Sequence, residues 1–238
     1  MALAEVHATI VSCERCPRLR SYCLRVAREK KRAYRDHTYW GRPVPGFGDP
    51  DARLLLIALA PAAHGANRTG RAFTGDGVGG SGDFLMSALH RTGFANMPTS
   101  TDAQDGLRLS DAYVACAVRC APPDNKPLPE EISRCLDHLD AEVAQLGRVR
   151  VVVALGKIGF DAWLQLLRRR GSVPSPRPQF GHGVVVKMDG VKMDGAKMGE
   201  GLPTLIGCYH PSRQNTNTGK LTPAMMESVF TKARRLLG

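Results

Sequence analysis

Arg53-Leu-Leu-Leu-Ile-Ala-Leu59 is an unbroken apolar run of strand length. Such runs suit a strand covered on both faces, as in a parallel sheet sandwiched between helices. Ala112 to Val118, Val149 to Leu155 and Leu202 to Tyr209 read the same way. Helical patterns separate them at Asp83 to Thr92, Pro129 to Leu146 and Phe160 to Leu167. A last helix opens at Thr222, a capping residue, with Pro223 at its first position. Alternating strands and helices define the α/β class, here a three-layer α/β/α domain around a central, mainly parallel four-stranded sheet. The whole chain, 1–238, reads as one domain. Residues 1–40, a short helix from Ala2 to Val11 and a basic helix to about Tyr34, form a helical layer appended to it. The Trp40 to Pro50 segment is an ordered loop of glycines and prolines, and Ala60 to Gly82 is a long polar one. A Lys-Met unit repeats three times between Lys187 and Gly201 and reads as a flexible loop insertion.

The 238 residues carry 33 Lys+Arg against 22 Asp+Glu, a formal charge of +11. No apolar run approaches the ~18 residues of a membrane-spanning helix. Glu5 and His7 interrupt any secretory apolar stretch, which points to an intracellular protein without membrane association. Nine cations, Arg15, Arg18, Arg20, Arg25, Arg28, Lys30, Lys31, Arg32 and Arg35, are opposed between them only by Glu29, so this segment holds +8 of the +11. A solvated helix face is the ordinary meaning of such a run. A basic stripe beside an apolar side is also the electrostatic footprint of a phosphate-binding surface.

Seven cysteines, an odd count in an intracellular chain, argue against a disulfide framework. Cys13-x-x-Cys16 lacks the preceding strand that a thioredoxin-type site requires. Cys120, at a loop start after the second strand, and Cys135, on the first turns of the next helix, are placed to converge with that pair. Zinc and an iron–sulfur cluster are both open to such a set. Cys23, Cys116 and Cys208 read as small core residues. Ligands in open α/β sheets bind at the carboxyl ends of the strands. The loops following Ala58 and Cys208 bring Asp76, Phe73 and His210 to that end, although each also has an ordinary reading as turn, core or loop residue. Gly77 to Gly82 lacks the strand context of a dinucleotide fingerprint, but amides at that helix start suit a phosphate.

Five stretches occur in one order: Cys13-Glu-Arg-Cys16-Pro, Trp40-Gly-Arg-Pro-Val-Pro-Gly-Phe-Gly-Asp49, Leu59-Ala-Pro-Ala-Ala-His-Gly-Ala-Asn-Arg-Thr-Gly-Arg-Ala-Phe-Thr-Gly-Asp76, Val118-Arg-Cys-Ala-Pro-Pro-Asp-Asn-Lys-Pro127 and His210-Pro-Ser-Arg-Gln-Asn215. Together they resemble the uracil-DNA glycosylase superfamily, in particular its type-5 iron–sulfur branch. The resemblance implies a monofunctional DNA repair hydrolase that cuts the N-glycosidic bond of uracil, leaving an abasic site. It implies a [4Fe-4S] cluster on Cys13, Cys16, Cys120 and Cys135. Catalysis falls to Asp76, which orients water or balances the sugar's positive charge, and to His210, which donates to the leaving base. Ala60, Pro61, His64, Gly65, Asn67, Phe73, Cys116, Ser212 and Asn215 would bind substrate, Phe73 by stacking and Asn215 by pressing into the duplex gap. Arg28, Lys30, Lys31 and Arg32 would touch the DNA backbone. A bacterial cytoplasmic monomer working at the nucleoid is the implied setting.

Two departures bear on specificity. Leu59 and Ala60 stand where better-known branches place a polar residue for the water, and Cys116 stands where relatives place an amide that reads uracil. A pocket without that paired donor and acceptor is expected to be broad, accepting hypoxanthine as well. Ala58 replaces a glycine usual before Leu-Ala-Pro. Two other functions compete: a non-catalytic iron–sulfur or zinc DNA-binding module, and a relative that captures the abasic sugar covalently.

Overall fold

The computed structural model describes residues 2–172, 174–188 and 201–238. Its strands are β1 (Phe47–Gly48), β2 (Leu54–Ala58), β3 (Ala112–Cys116), β4 (Val151–Leu155), β5 (Val185–Val186) and β6 (Thr204–Cys208). They form one sheet in the order β1-β3-β2-β4-β6-β5. The four inner strands are parallel and coincide with the four apolar runs. Two antiparallel edges extend the expected four-stranded sheet to six strands. Each edge strand is two residues long and partly exposed, too short to show any alternation in the sequence.

Every residue of β2 is buried, because both of its faces are covered. Leu54, Leu56 and Ala58 face α4 (Ser81–Arg91) and α8 (Pro223–Leu237). Leu55 and Ile57 face α5 (Pro129–Gln145) and α6 (Lys157–Arg169). Fully burying each such Leu or Ile is worth about 1.5–3 kcal/mol, so the alternation sets the register firmly. Thr222 caps α8 as expected, its hydroxyl accepting from the Met225 amide at 3.2 Å.

The appended layer is α1 (Leu3–Val11) and α2 (Pro17–Glu29). Val6 and Ile10 of α1 are buried and the helix packs on α5. The basic helix stops at Glu29 rather than near Tyr34, because Lys30 takes φ 56° and a 3-10 turn at Arg32–Tyr34 follows. Nor is its charge all free. Arg15 pairs with Asp137, Arg18 with Glu131 and Arg20 with Glu14. Of the exposed cations, Arg25, Arg28, Lys31, Arg32 and Arg35, toward and beyond the helix's far end, make no salt bridge among the described residues. Two short helices, α3 (Ala66–Thr69) and α7 (Arg213–Asn217), punctuate loops expected to be irregular. Most of the Lys-Met repeat lies outside the described residues. Among the described residues no helix is long and apolar enough to cross a membrane.

Helix α6 packs tightly on β2 at Gly159, where an added Cβ would lie 2.4 Å from the Ile57 carbonyl oxygen. Gly159→Ala is therefore expected to destabilise the fold by about 1–3 kcal/mol, measured by urea unfolding.

Candidate active site

At the carboxyl ends of the inner strands lies a cavity of about 640 Å³. Leu59 to Ala62 line it after β2, Cys116 at the end of β3, Leu155 at the end of β4 with Gly156 to Ile158 after it, and His210 with Ser212 to Gln214 after β6. This is the crevice where the parallel order turns back across β2, the place where α/β sheets bind ligands.

Asp76 enters the cavity from the long loop after β2. Its carboxylate rests against Gly65, where an added Cβ would stand 1.8 Å from Oδ1, so only glycine leaves room for it. Burial raises the Asp76 carboxyl to about 6, against the pull of the Gly82 amide, Arg213 and Arg68. The amide that starts α4 thus faces this carboxylate, which bears on the phosphate role expected of that turn. Arg213 also donates to the Asp76 backbone carbonyl at 3.3 Å.

His210 follows β6. Burial lowers its imidazole to about 4, so it is neutral at physiological pH. Phe73, held at φ 52°, stacks on it with centroids 5.8 Å apart and 28° between the rings. The same physical cause, removal from water, therefore moves the acid up and the base down. Burial likewise raises the Cys116 thiol to about 12, leaving it a neutral, weakly polar wall.

Of the expected substrate-binding residues, Ala60, Pro61, Phe73, Cys116 and Ser212 line the cavity. His64, Gly65, Asn67 and Asn215 stand behind the wall. His64 Nδ1 is 3.0 Å from the Tyr39 hydroxyl. Asn67 is buried and donates to the carbonyls of Cys23 and Ala63, both at 3.3 Å. The Asn215 amide donates to the His210 carbonyl at 2.8 Å, which ties the 210–215 loop to itself rather than reaching outward. Asn125, Lys157, Arg213 and Gln214 also line the cavity and were not anticipated from the sequence. Asn125 lies in a turn where it and Asp124 both take left-handed φ, 57° and 52°, a conformation these two residue types tolerate. Lys157, two residues past β4, carried a strand-end signal that would have pointed to it.

The cysteines gather in a separate corner. Cys16, Cys23, Cys120 and Cys135 pack with Leu19, Val118 and Ala121 in one apolar cluster. Half-buried Cys13 is near enough to act electrostatically on Cys16 and Cys135. The Arg119 amide donates to Cys135 Sγ at 3.3 Å. As the side chains stand, no three His, Cys, Asp or Glu groups among the described residues form a set able to hold a metal ion. The donor chemistry itself, thiols from three elements in an apolar corner with an amide on one sulfur, fits a cysteine-ligated group.

The comparisons with known proteins define the class first. Residues 45–234 match the model of the uracil DNA glycosylase superfamily. A type-5 uracil-DNA glycosylase of Mycobacterium tuberculosis is 49% identical over this whole chain, which covers 82% of that protein. That of Mycobacterium leprae is 48% identical over the whole chain and 96% of its own length, and that of Thermus thermophilus is 46% identical over 97% and 96%. The chain belongs to the type-5 uracil-DNA glycosylase family of this superfamily.

Gly65→Ala is expected to push the Asp76 carboxylate toward water. Its titration midpoint, followed by carbon NMR, then falls from about 6 toward the ordinary carboxylate range.

Proposed function

We propose that this protein excises uracil, and deaminated purines such as hypoxanthine, from DNA by hydrolysing the N-glycosidic bond. The observation that carries this reading is the single cavity shared by a buried Asp76 and a neutral His210 at the strand ends. Its 640 Å³ falls within the roughly 300–1,000 Å³ of small-molecule pockets and leaves room for an extruded nucleotide.

Breaking the bond leaves positive charge on the sugar and negative charge on the departing base. Ionised Asp76 balances the first and takes a proton from the attacking water, whose oxygen joins the sugar carbon. His210 meets the second by donating its neutral N–H to an oxygen of the base. Burial inverts the usual order of a carboxyl and an imidazole here, and environments that set two titratable groups in opposite directions are the usual mark of such a division of roles. Leu59, Ala60, Pro61 and Ala62 bring no polar side chain to the site, so water placement falls on Asp76. The Cys116 thiol offers no paired donor and acceptor to the base edge, which supports a broad range of bases.

We assign a [4Fe-4S] cluster to Cys13, Cys16, Cys120 and Cys135, where its thiolate bonds would cross-link the start of α2, the loop after β3 and α5. Arg28, Lys30, Lys31 and Arg32 bind backbone phosphates in this reading, and the enzyme acts as a monomer on DNA in the bacterial cytoplasm, at the nucleoid.

Excision from a labelled uracil duplex tests the reaction. Asp76→Asn and His210→Ala are each expected to lower the rate by roughly a hundredfold or more while DNA binding is kept; full activity in both would overturn the assignment. Activity of the unaltered enzyme should decline as pH falls through about 6, because the Asp76 carboxylate takes up a proton there. His210, titrating near 4, does not set that limb. Purified protein is expected to carry about four irons and absorb near ~400 nm; one stoichiometric zinc would contradict the cluster.

A further inference from the structure

Arg68, on α3, lies in the wall between the basic segment and the loop that carries Asp76. The residue is only 6% exposed. Nε donates to the His64 carbonyl at 2.9 Å and Nη2 to the Gly75 carbonyl at 2.7 Å. Nη1 lies 3.1 Å from His37 Nδ1, which must accept, since arginine has only donors. The flat face of the group sits 4.1 Å from the centre of the Tyr34 ring. Gly75 immediately precedes Asp76, and an added Cβ there would lie 2.4 Å from Arg68 Nη2, so the loop closes directly onto the guanidinium. Tyr34 and His37 belong to the segment that follows Lys30, Lys31 and Arg32. Tyr34 is also held in that segment by Lys31, whose Nζ is 6.0 Å from the ring centre.

We propose that Arg68 is a positioning residue that ties the placement of Asp76 to the seating of the Lys30–His37 segment on DNA. The inference rests on the roles proposed above for Asp76 and for the phosphate-binding Lys30, Lys31 and Arg32. Arg68 reaches no reacting atom; it acts through the Gly75 carbonyl. A planar fork that stacks on one face and donates along its edges makes these contacts at once, whereas a lysine ammonium has neither the plane nor the fork. When phosphates draw the basic segment onto the duplex, Tyr34 and His37 bear on Arg68. Arg68 in turn holds the backbone at Gly75, which sets the direction of the next side chain. Single-stranded or undocked DNA leaves the clamp unloaded.

The test uses Tyr34→Ala, Tyr34→Phe, Arg68→Met and Arg68→Lys in the full chain. Single-turnover uracil excision is compared with affinity for a duplex carrying a stable abasic analogue. Tyr34 is only half-buried, so its variants report even where Arg68→Met fails to fold. Tyr34→Ala and Arg68→Met are expected to slow excision roughly tenfold to a hundredfold with affinity kept within about twofold. Tyr34→Phe, which retains the ring, should match the unaltered enzyme. The charged groups around Asp76 are Arg213 on α7, Arg68 on α3 and Asp83 on α4. Arg68→Met removes one of the two cations, so the low-pH limb moves to higher pH, whereas Arg68→Lys restores the limb but not the full rate. Unchanged rates in Tyr34→Ala, or losses matched by equal losses of affinity with the limb in place, would overturn the proposal. An unaltered enzyme that excises no uracil would instead overturn the function proposed above.

Discussion

A buried ion pair joins the layers of this protein. Arg119, just past β3, and Glu142, on α5, meet at 2.5 Å with side chains 1% and 0% exposed. Burial works against the charge on Glu142, but Arg119, His7 and the Gly46 amide outweigh it and hold the carboxyl below its usual range. Tyr113 of β3 donates to the same carboxylate at 3.2 Å and lies 2.7 Å from His7 of α1. A strand end, two helices and the loop before β1 are thereby fixed by one charge. Removing a single partner from such a pair costs about 3–5 kcal/mol, because the other charge is left uncompensated. Its position also matters for the site. Arg119 lies between Val118 and Cys120, and its amide donates to Cys135, so the pair anchors the corner where the cysteines gather.

At the cavity the dominant force is desolvation. One dry crevice raises the carboxyl of Asp76 to about 6 and lowers the imidazole of His210 to about 4, so that near neutral pH the first is mostly ionised and the second neutral. Holding a carboxylate there requires close backing. Gly65 provides the space, the Gly82 amide a donor, and Arg68 and Arg213 the compensating charge. The loop 210–215 is closed by its own bonds, with Asn215 and the Ser212 amide both donating to the His210 carbonyl at 2.8 Å. That closure explains why a residue expected to reach the duplex instead supports the histidine.

The charge excess divides on folding. Arg15, Arg18 and Arg20 were indistinguishable from the other cations along the chain, yet they pair with acids on α5 and just before α2, Arg20 being buried while Arg15 and Arg18 stay exposed. The charge left without an acid partner among the described residues is at the far end of α2 and the 3-10 turn, beside the loop that carries Asp76. The positive surface is thus smaller than the composition suggests and lies close to the cavity.

The four parallel strands, the helices between them and the pocket at their carboxyl ends were legible because periodicity and uniform apolarity are local properties of the chain. So were Asp76, His210 and Phe73, each placed by the loop after a strand, whereas Cys116, read from the pattern as a core residue, came to the pocket only through the family resemblance. The two edge strands were not legible, since two residues carry no period and only a neighbouring strand's free edge makes them strands. Asn125 as a cavity residue, and His64, Asn67 and Asn215 as supports behind the wall, were likewise settled only by tertiary structure. A sequence states which polar groups a loop offers, but which of them turn toward the cavity depends on where distant carbonyls and acids await a donor.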